Sequence, residues 1–291
     1  MDTLQSGWPV LRRQVSLVRA EESVTQEISV VLEEPLALHI NGQQVAVLMR
    51  LPGMEKELAI GFCLSEGLVR RFDDILMVHH CGQGLPEPAL DAPDEQDPLA
   101  RNRVELRVAP EGINPEARLD VVRLIRAGCG AVDVERAELP LEPLSNDLCV
   151  PAEVVLGLGA VLRQGQSLHS EVGGVHAAAL CNASGALLTL AEDVGRHNAV
   201  DKVIGHCLLR GVALHDCLLL CSGRLSYEMV SKALRMRIPV LVSLSAPTAL
   251  AVQLAERFGL TVVGYLRGGR MTIYTHAERI APRAGALRAS A

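Results

Sequence analysis

Four short apolar runs, 187–191, 218–221, 239–244 and 260–264, punctuate the second half of the chain, with segments of helical spacing at 195–209, 225–236 and 248–258 between them. An uninterrupted apolar strand has no side suited to water, so it belongs in a sheet covered on both faces. Strand and helix in alternation predict an α/β layer with a mainly parallel sheet, entered through a Pro-initiated helix over 151–164. At 291 residues the chain is long enough to divide, because single cores stop growing at about 250–300 residues. Pro140 and Pro143 interrupt it, and the expected boundary lies near 145. The expected organisation is a loose polar tail over 1–21, a smaller α+β domain over 22–145 and an α/β domain over 146–291.

The α+β domain opens with alternation at Leu36, Leu38 and Ile40, then Asn41-Gly42, then alternation at Val45, Val47 and Met49, the pattern of a tight hairpin. Leu58, Ala59, Phe62 and Cys63 recur at helical spacing until Gly67 stops them. Residues 82–102 are rich in Pro, Asp and Gly without periodicity and read as a loop insertion. A strand is expected over 103–108 and a helix over 118–126, leading into Gly128-Cys129-Gly130.

Composition excludes several classes of function. A net charge of -6 and only 2% aromatic residues argue against nucleic acid, which needs a basic surface and, when single-stranded, stacking platforms. No apolar run reaches the ~20 residues of a membrane span. The N-terminal stretch lacks a basic head followed by an apolar core, so a cytoplasmic location is expected. That location and the absence of C-x-x-C spacing make the 8 cysteines reduced thiols, most of them buried.

Polar residues gather where the apolar strands end, the usual place for ligands in such sheets. They form Gly173-Gly174-Val175-His176, Glu192 to Asn198, Ser222 to Ser226, and Tyr265-Leu266-Arg267-Gly268-Gly269-Arg270. His197 stands beside an arginine and an asparagine on a strand-to-helix turn, which suits a polar or anionic ligand; an acidic cap over a solvated first turn is the plainer alternative. Arg224 offers a fork of donors near a helix start, or sits in solvent. Arg267 to Arg270 pairs two guanidiniums with glycines that would let backbone approach a pyrophosphate, or makes a simple Gly-Gly hairpin turn. Cys129, between two glycines and past a helix end bearing Arg123 and Arg126, is expected on an accessible loop, where the cations favour a thiolate and the helix C-terminus opposes it; an incidental loop cysteine is the plainer alternative.

The blocks ELAIGFCLSEGLV (57–69), AGCG (127–130), GGVHAAAL (173–180), EDVGRHNAVDKVIG (192–205), SGRLSYEMVSKA (222–233) and 242–280 together resemble the formate dehydrogenase accessory sulfurtransferase family, FdhD/NarQ. The resemblance implies a cytidine deaminase-like C-terminal domain and a homodimer. It also implies a sulfurtransferase that takes sulfur from an L-cysteine desulfurase as a persulfide on Cys129. The acceptor would be the molybdenum of a bis(molybdopterin guanine dinucleotide) cofactor, bound as substrate and destined for a formate dehydrogenase. The family's cofactor segment falls on Tyr265 to Arg270, with His197 and Arg224 as expected helpers.

One position departs from the resemblance. The family's loop usually reads C-G-x-C-G, whereas here Val132 replaces the second cysteine, so the alternative is a non-catalytic cofactor-binding chaperone. Deaminase chemistry and a zinc site are not expected, because His176-Ala177-Ala178 lacks the glutamate of H-x-E and no C-x-x-C exists.

Overall fold

The computed structural model describes residues 3–4, 9–20, 22–81, 102–117, 123–125, 141–144 and 148–282. It begins with a three-stranded antiparallel sheet of β1 (Thr3–Leu4), β2 (Val10–Arg19) and β3 (Glu22–Val31). Residues 10–19 therefore correct the expectation of a loose tail. They pair with β3 along their whole length, Val10 opposite Val31 and Arg19 opposite Glu22. Arg13 breaks the alternation of Leu11, Val15 and Leu17, and most of the ribbon faces water, so no one-sided apolar pattern marked it.

β4 (Glu34–Ile40) and β5 (Gln43–Arg50) form the expected hairpin. Asn41 and Gly42 turn it with φ of 51° and 85°, the left-handed pair that matches strand twist. α1 (Glu55–Ser65) follows and stops before Gly67, whose φ is 70°. With β6 (Ile75–Cys81), β7 (Arg103–Val108) and β8 (Arg123–Ile125) the sheet reads β6-β7-β4-β5-β8. Leu36, Leu38, Leu48, Val104 and Leu106 pack against Leu58 and Phe62 of α1. The helix expected over 118–126 is corrected, since residues 123–125 pair in parallel with β5. Pairing satisfies β5's otherwise open edge, which outweighs weak helical spacing. The loop insertion falls outside the described residues apart from Asn102.

The second half contains β9 (Val150–Pro151), α2 (Ala152–Gly165), α3 (Ser167–Val172), β10 (His176–Asn182), β11 (Leu187–Asp193), α4 (Arg196–Leu209), β12 (Cys217–Cys221) and α5 (Tyr227–Arg235). β13 (Val240–Ser243), α6 (Ala249–Phe258), β14 (Thr261–Arg267), β15 (Arg270–Thr275) and β16 (Ile280–Ala281) complete it. Its large sheet has the order β11-β10-β12-β13-β14-β15. β12, β13 and β14 are parallel, but β10 is antiparallel to both its neighbours and β15 to β14, so the sheet is mixed rather than mainly parallel. The links 183–186 and 268–269 are far too short for a crossover, and such links permit only antiparallel neighbours. Both faces are covered, as the continuous apolar strands require. Ala177, Ala179, Leu218 and Leu220 meet α2, while Ala178, Leu180, Leu219 and Leu241 meet α4, α5 and α6.

The two halves join through α1 and α4. A Cβ at Gly61 would run into the Asp201 carbonyl, and one at Gly205 into the carbonyl of Glu57, so the helices touch backbone to backbone. We predict that Gly61→Ala and Gly205→Ala each cost about 1–3 kcal/mol of stability through overpacking. Gly157 in α2 has no heavy atom within 4 Å of its would-be Cβ, so Gly157→Ala should instead gain about 0.5–1 kcal/mol. Denaturant unfolding of the three variants checks the opposite signs.

Candidate functional site

β11, β12, β13 and β14 run in one direction, and β10 runs against them. One edge of the sheet therefore collects the ends of β11, β12, β13 and β14 and the beginning of β10. His176, Asp193, the 222–226 turn, the 243–247 turn and Tyr265 all sit at that edge.

Asp193 fixes the β11–α4 turn. Its fully buried carboxylate lies 2.7 Å from Lys202 Nζ and accepts from Gly195 N at 2.9 Å, Asn198 Nδ2 at 3.0 Å and Leu51 N at 3.2 Å. Lys202 also donates to the Leu51 carbonyl and Asn198 to that of Met49, so the exit of β5 is tied to the same point. The first turn of α4 is thus buried rather than solvated. His197 points inward as well: it is 6% exposed, and its Nε2 lies 3.0 Å from Glu228 Oε2 on α5. The hydrogen bond from His197 holds Glu228 below the usual carboxylate range.

Beside this hub, Gly223 lets the side chains of Arg196 and His176 lie against backbone. A Cβ there would stand 3.1 Å from Arg196 Cδ and 3.3 Å from His176 Nδ1. Ser222 Oγ accepts from Ala177 N at 2.9 Å and lies 3.3 Å from His176 Nδ1. Burial, and then Arg196, His197, His169 and Arg224, push the His176 pKa below its ordinary value, leaving the ring neutral. Arg224 is exposed and makes no hydrogen bond or ion pair within the described residues.

The adjoining turns carry the site to β14. Ser243 Oγ donates to the Gly223 carbonyl at 2.6 Å and accepts from Ser245 N, and the Ser245 carbonyl accepts from Tyr265 N at 2.9 Å. Tyr265 adopts φ of 51° at a break in register with β15, a costly conformation for a bulky residue and one found mostly where the surroundings impose it. Its ring is 40% exposed, with the Arg267 guanidinium 5.5 Å from the ring centre. Gly268 and Gly269, both with positive φ, form the hairpin turn between Arg267 and Arg270, and both arginines are exposed. Leu266 is turned into the core against α2 and offers a ligand only backbone.

Behind the site, Lys232 of α5 is buried within 2.9 Å of Asp201 on α4 and 2.7 Å of Glu66, and it donates to Ser65 Oγ at 2.8 Å. Burial opposes its charge, but Asp201 and Glu66 outweigh burial and raise its pKa. Burial also lifts the Asp201 carboxyl, against the pull of Lys232 and Ser65.

Five cysteines, at 63, 181, 207, 217 and 221, are buried, and burial pushes Cys207 and Cys221 up to about 12 and Cys181 and Cys217 up to about 11. Such thiols hold little thiolate and are poor nucleophiles. Cys81 and Cys149 are exposed. Cys129 and Val132 lie outside the described residues.

The sheet edge thus unites Arg224, His197 and Tyr265 to Arg270 as expected, and adds His176, Arg196 and Ser222, whose segments stood out in the sequence without being singled out as ligand contacts. It is the polar edge of an α/β protein, where arginine, histidine and hydroxyl side chains gather at strand ends. A model of the FdhD/NarQ family matches residues 31–281, and the chain belongs to that family. A Mycobacterium tuberculosis relative named sulfur carrier protein FdhD is 38% identical over 282 residues, covering 94% of this chain and 99% of its own length. A Saccharolobus solfataricus protein of the same name is 37% identical over 275 residues, covering 92% and 98%. A crystal structure from Desulfotalea psychrophila, assigned provisionally as a formate dehydrogenase accessory protein, matches with a TM-score of 0.72 at 27% identity, covering 94% of this chain and 99% of that one.

Removing the Lys232 ammonium leaves Asp201 buried without its cation. We predict that Lys232→Met costs about 3–5 kcal/mol in chemical unfolding, and that the double change Lys232→Met/Asp201→Leu recovers much of that loss.

Proposed function

We propose that the protein is a sulfurtransferase for molybdenum cofactor maturation. The Cys129 thiolate attacks the terminal sulfur of a persulfide on an L-cysteine desulfurase, the desulfurase thiolate departs, and Cys129 holds the sulfur as its own persulfide. The acceptor is the molybdenum of a bis(molybdopterin guanine dinucleotide) cofactor, bound as substrate at the sheet edge, and the matured cofactor passes to a formate dehydrogenase. The observation that carries this reading is an edge with exposed Arg224, Arg267 and Arg270 beside a glycine turn, in a chain whose relatives are named sulfur carrier proteins. Guanidiniums suit phosphate oxygens, and the bare glycine backbone allows a dinucleotide to come close. A cytidine deaminase-like arrangement of the second half and a homodimer acting in the cytoplasm complete the proposal; among the described residues no helix is long and apolar enough to cross a membrane.

Val132 favours a second reading, in which the protein binds and protects the cofactor without carrying sulfur. Incubation with a cysteine desulfurase, L-cysteine and pyridoxal phosphate separates the two. The sulfurtransferase reading predicts a persulfide mass increment on the Cys129 peptide and none on Cys129→Ala protein. Cofactor binding with no increment on any cysteine leaves the chaperone reading standing. In a strain lacking its own accessory protein, Cys129→Ser should abolish formate dehydrogenase activity while Val132→Cys stays near wild type. Restoration of an inactive wild type by Val132→Cys would mean that two loop thiols are required.

A further inference from the structure

We infer that β3 is an assembly edge: it pairs antiparallel with β3 of a second copy, Gln26 opposite the partner's Gln26, and joins two ribbons into one sheet. This interface is the seam of the homodimer in the proposed function, so it rests on that part of the reading and not on sulfur transfer.

The ribbon of β2 and β3 stands largely in water, and its ten-residue strands are each about 33 Å long. A two-stranded ribbon is marginal by itself and needs further strands or a packed face. Its root has such packing, since Val10 and Val31 sit with Leu51, Leu168 and Val175 next to His176 at the polar sheet edge. Beyond the root, Glu22 to Ile28 are all exposed. β1 pairs only with Leu11 and Arg12 of β2, and among the described residues no strand lies outside β3.

That open edge carries none of the devices that ordinarily blunt one. β3 has no proline, lysine or glycine, and its pairing with β2 runs from end to end without a bulge. Leu32 N donates to the Pro9 carbonyl at 2.9 Å, which sets the alternation: even-numbered residues of β3 turn their N–H and C=O toward β2. Ser23, Thr25, Glu27 and Ser29 therefore direct theirs outward.

What the edge fits is itself. Outward from Gln26, β3 gives Thr25 and Glu27, then Val24 and Ile28, then Ser23 and Ser29, polar with polar and apolar with apolar. A two-fold axis at Gln26 sets each of these opposite its counterpart, and the outward groups of Thr25 meet those of the partner's Glu27. The match ends at Glu22, which meets Val30. An axis at Glu27 instead sets like charges opposite each other and Gln26 against Ile28, and one at Thr25 sets Glu22 against Ile28 and Val24 against Gln26. Val24, Ile28 and Val30 share a face with Leu11, Val15 and Leu17 of β2. An axis perpendicular to the sheet keeps that face on one side, so the two apolar stripes become one.

Sedimentation of the full chain, with oxidation of cysteine variants by copper phenanthroline, tests the seam. Wild type should sediment as two chains. Gln26→Cys protein should give a disulfide between two identical residue-26 peptides, since opposed residues of a non-hydrogen-bonded pair lie about 4.5 Å apart at Cα. Thr25→Cys or Glu27→Cys alone should not link to itself, its own counterpart being about 8 Å or more away, whereas the two coexpressed should link to each other. Peptide masses distinguish these links from any at the exposed Cys81 and Cys149. Val24→Lys/Ile28→Lys sets like charges opposite each other and should leave single chains; Val24→Lys/Ile28→Glu sets opposite charges there and should restore the pair. Val24 is 57% and Ile28 37% exposed, so neither variant disturbs a core. A wild type that sediments as one chain overturns both the homodimer and the seam. A dimer that keeps its mass with both lysines, and forms no link in Gln26→Cys protein, overturns the seam alone.

Discussion

Asp193 ends β11 with its carboxylate completely buried, and four donors from three parts of the chain converge on it. A buried carboxylate survives only when its charge is matched and its lone pairs are filled, and Lys202, Gly195, Asn198 and Leu51 do both. The consequence is geometric. The first turn of α4 is held in one position against the sheet and against the exit of β5, so Arg196 and His197 start from fixed backbone. Because Leu51 belongs to the first half, this edge of the second half's sheet is aligned by contacts from both.

The α1–α4 interface strengthens the same arrangement. Gly61 and Gly205 allow backbone contact, and Lys232 threads between α5, α4 and the end of α1 to meet Asp201, Ser65 and Glu66. Replacing such buried pairs with apolar residues often costs little, whereas breaking them costs much, so their value here lies in register rather than net stability. With the scaffold's acids consumed in these pairs, Arg224, Arg267 and Arg270 form no ion pair among the described residues. Buried acids hold the frame, and the exposed cations stay unpaired at its edge, as the proposed cofactor site requires.

Much of this was legible in the chain. The Asn41-Gly42 hairpin and the apolar strands β11 to β14 follow from turn chemistry and burial on two faces, and those rules act over a few residues. What escaped depends on distant partners. β2 pairs with β3 across a wet ribbon, and β8 exists because β5 has an open edge. A mainly parallel reading of the sheet hid the fact that β10 runs backwards, and with it that His176, at a strand's beginning, reaches the edge where other strands end. The pairing of Asp193 with Lys202 and of Asp201 with Lys232 was likewise invisible, because charges at a strand end and along helices read as ordinary solvated groups. The family resemblance pointed to the Tyr265–Arg270 hairpin, and the antiparallel strand brings His176 to the same edge of the sheet.

We propose that the sheet edge aligned by Asp193 receives the nucleotide part of the cofactor. A crystal structure of the full chain soaked with GDP tests it most directly. A nucleotide is expected at that edge, with phosphate oxygens within hydrogen-bonding distance of Arg224, Arg267 or Arg270. A nucleotide seated elsewhere, with these side chains left untouched, would contradict it.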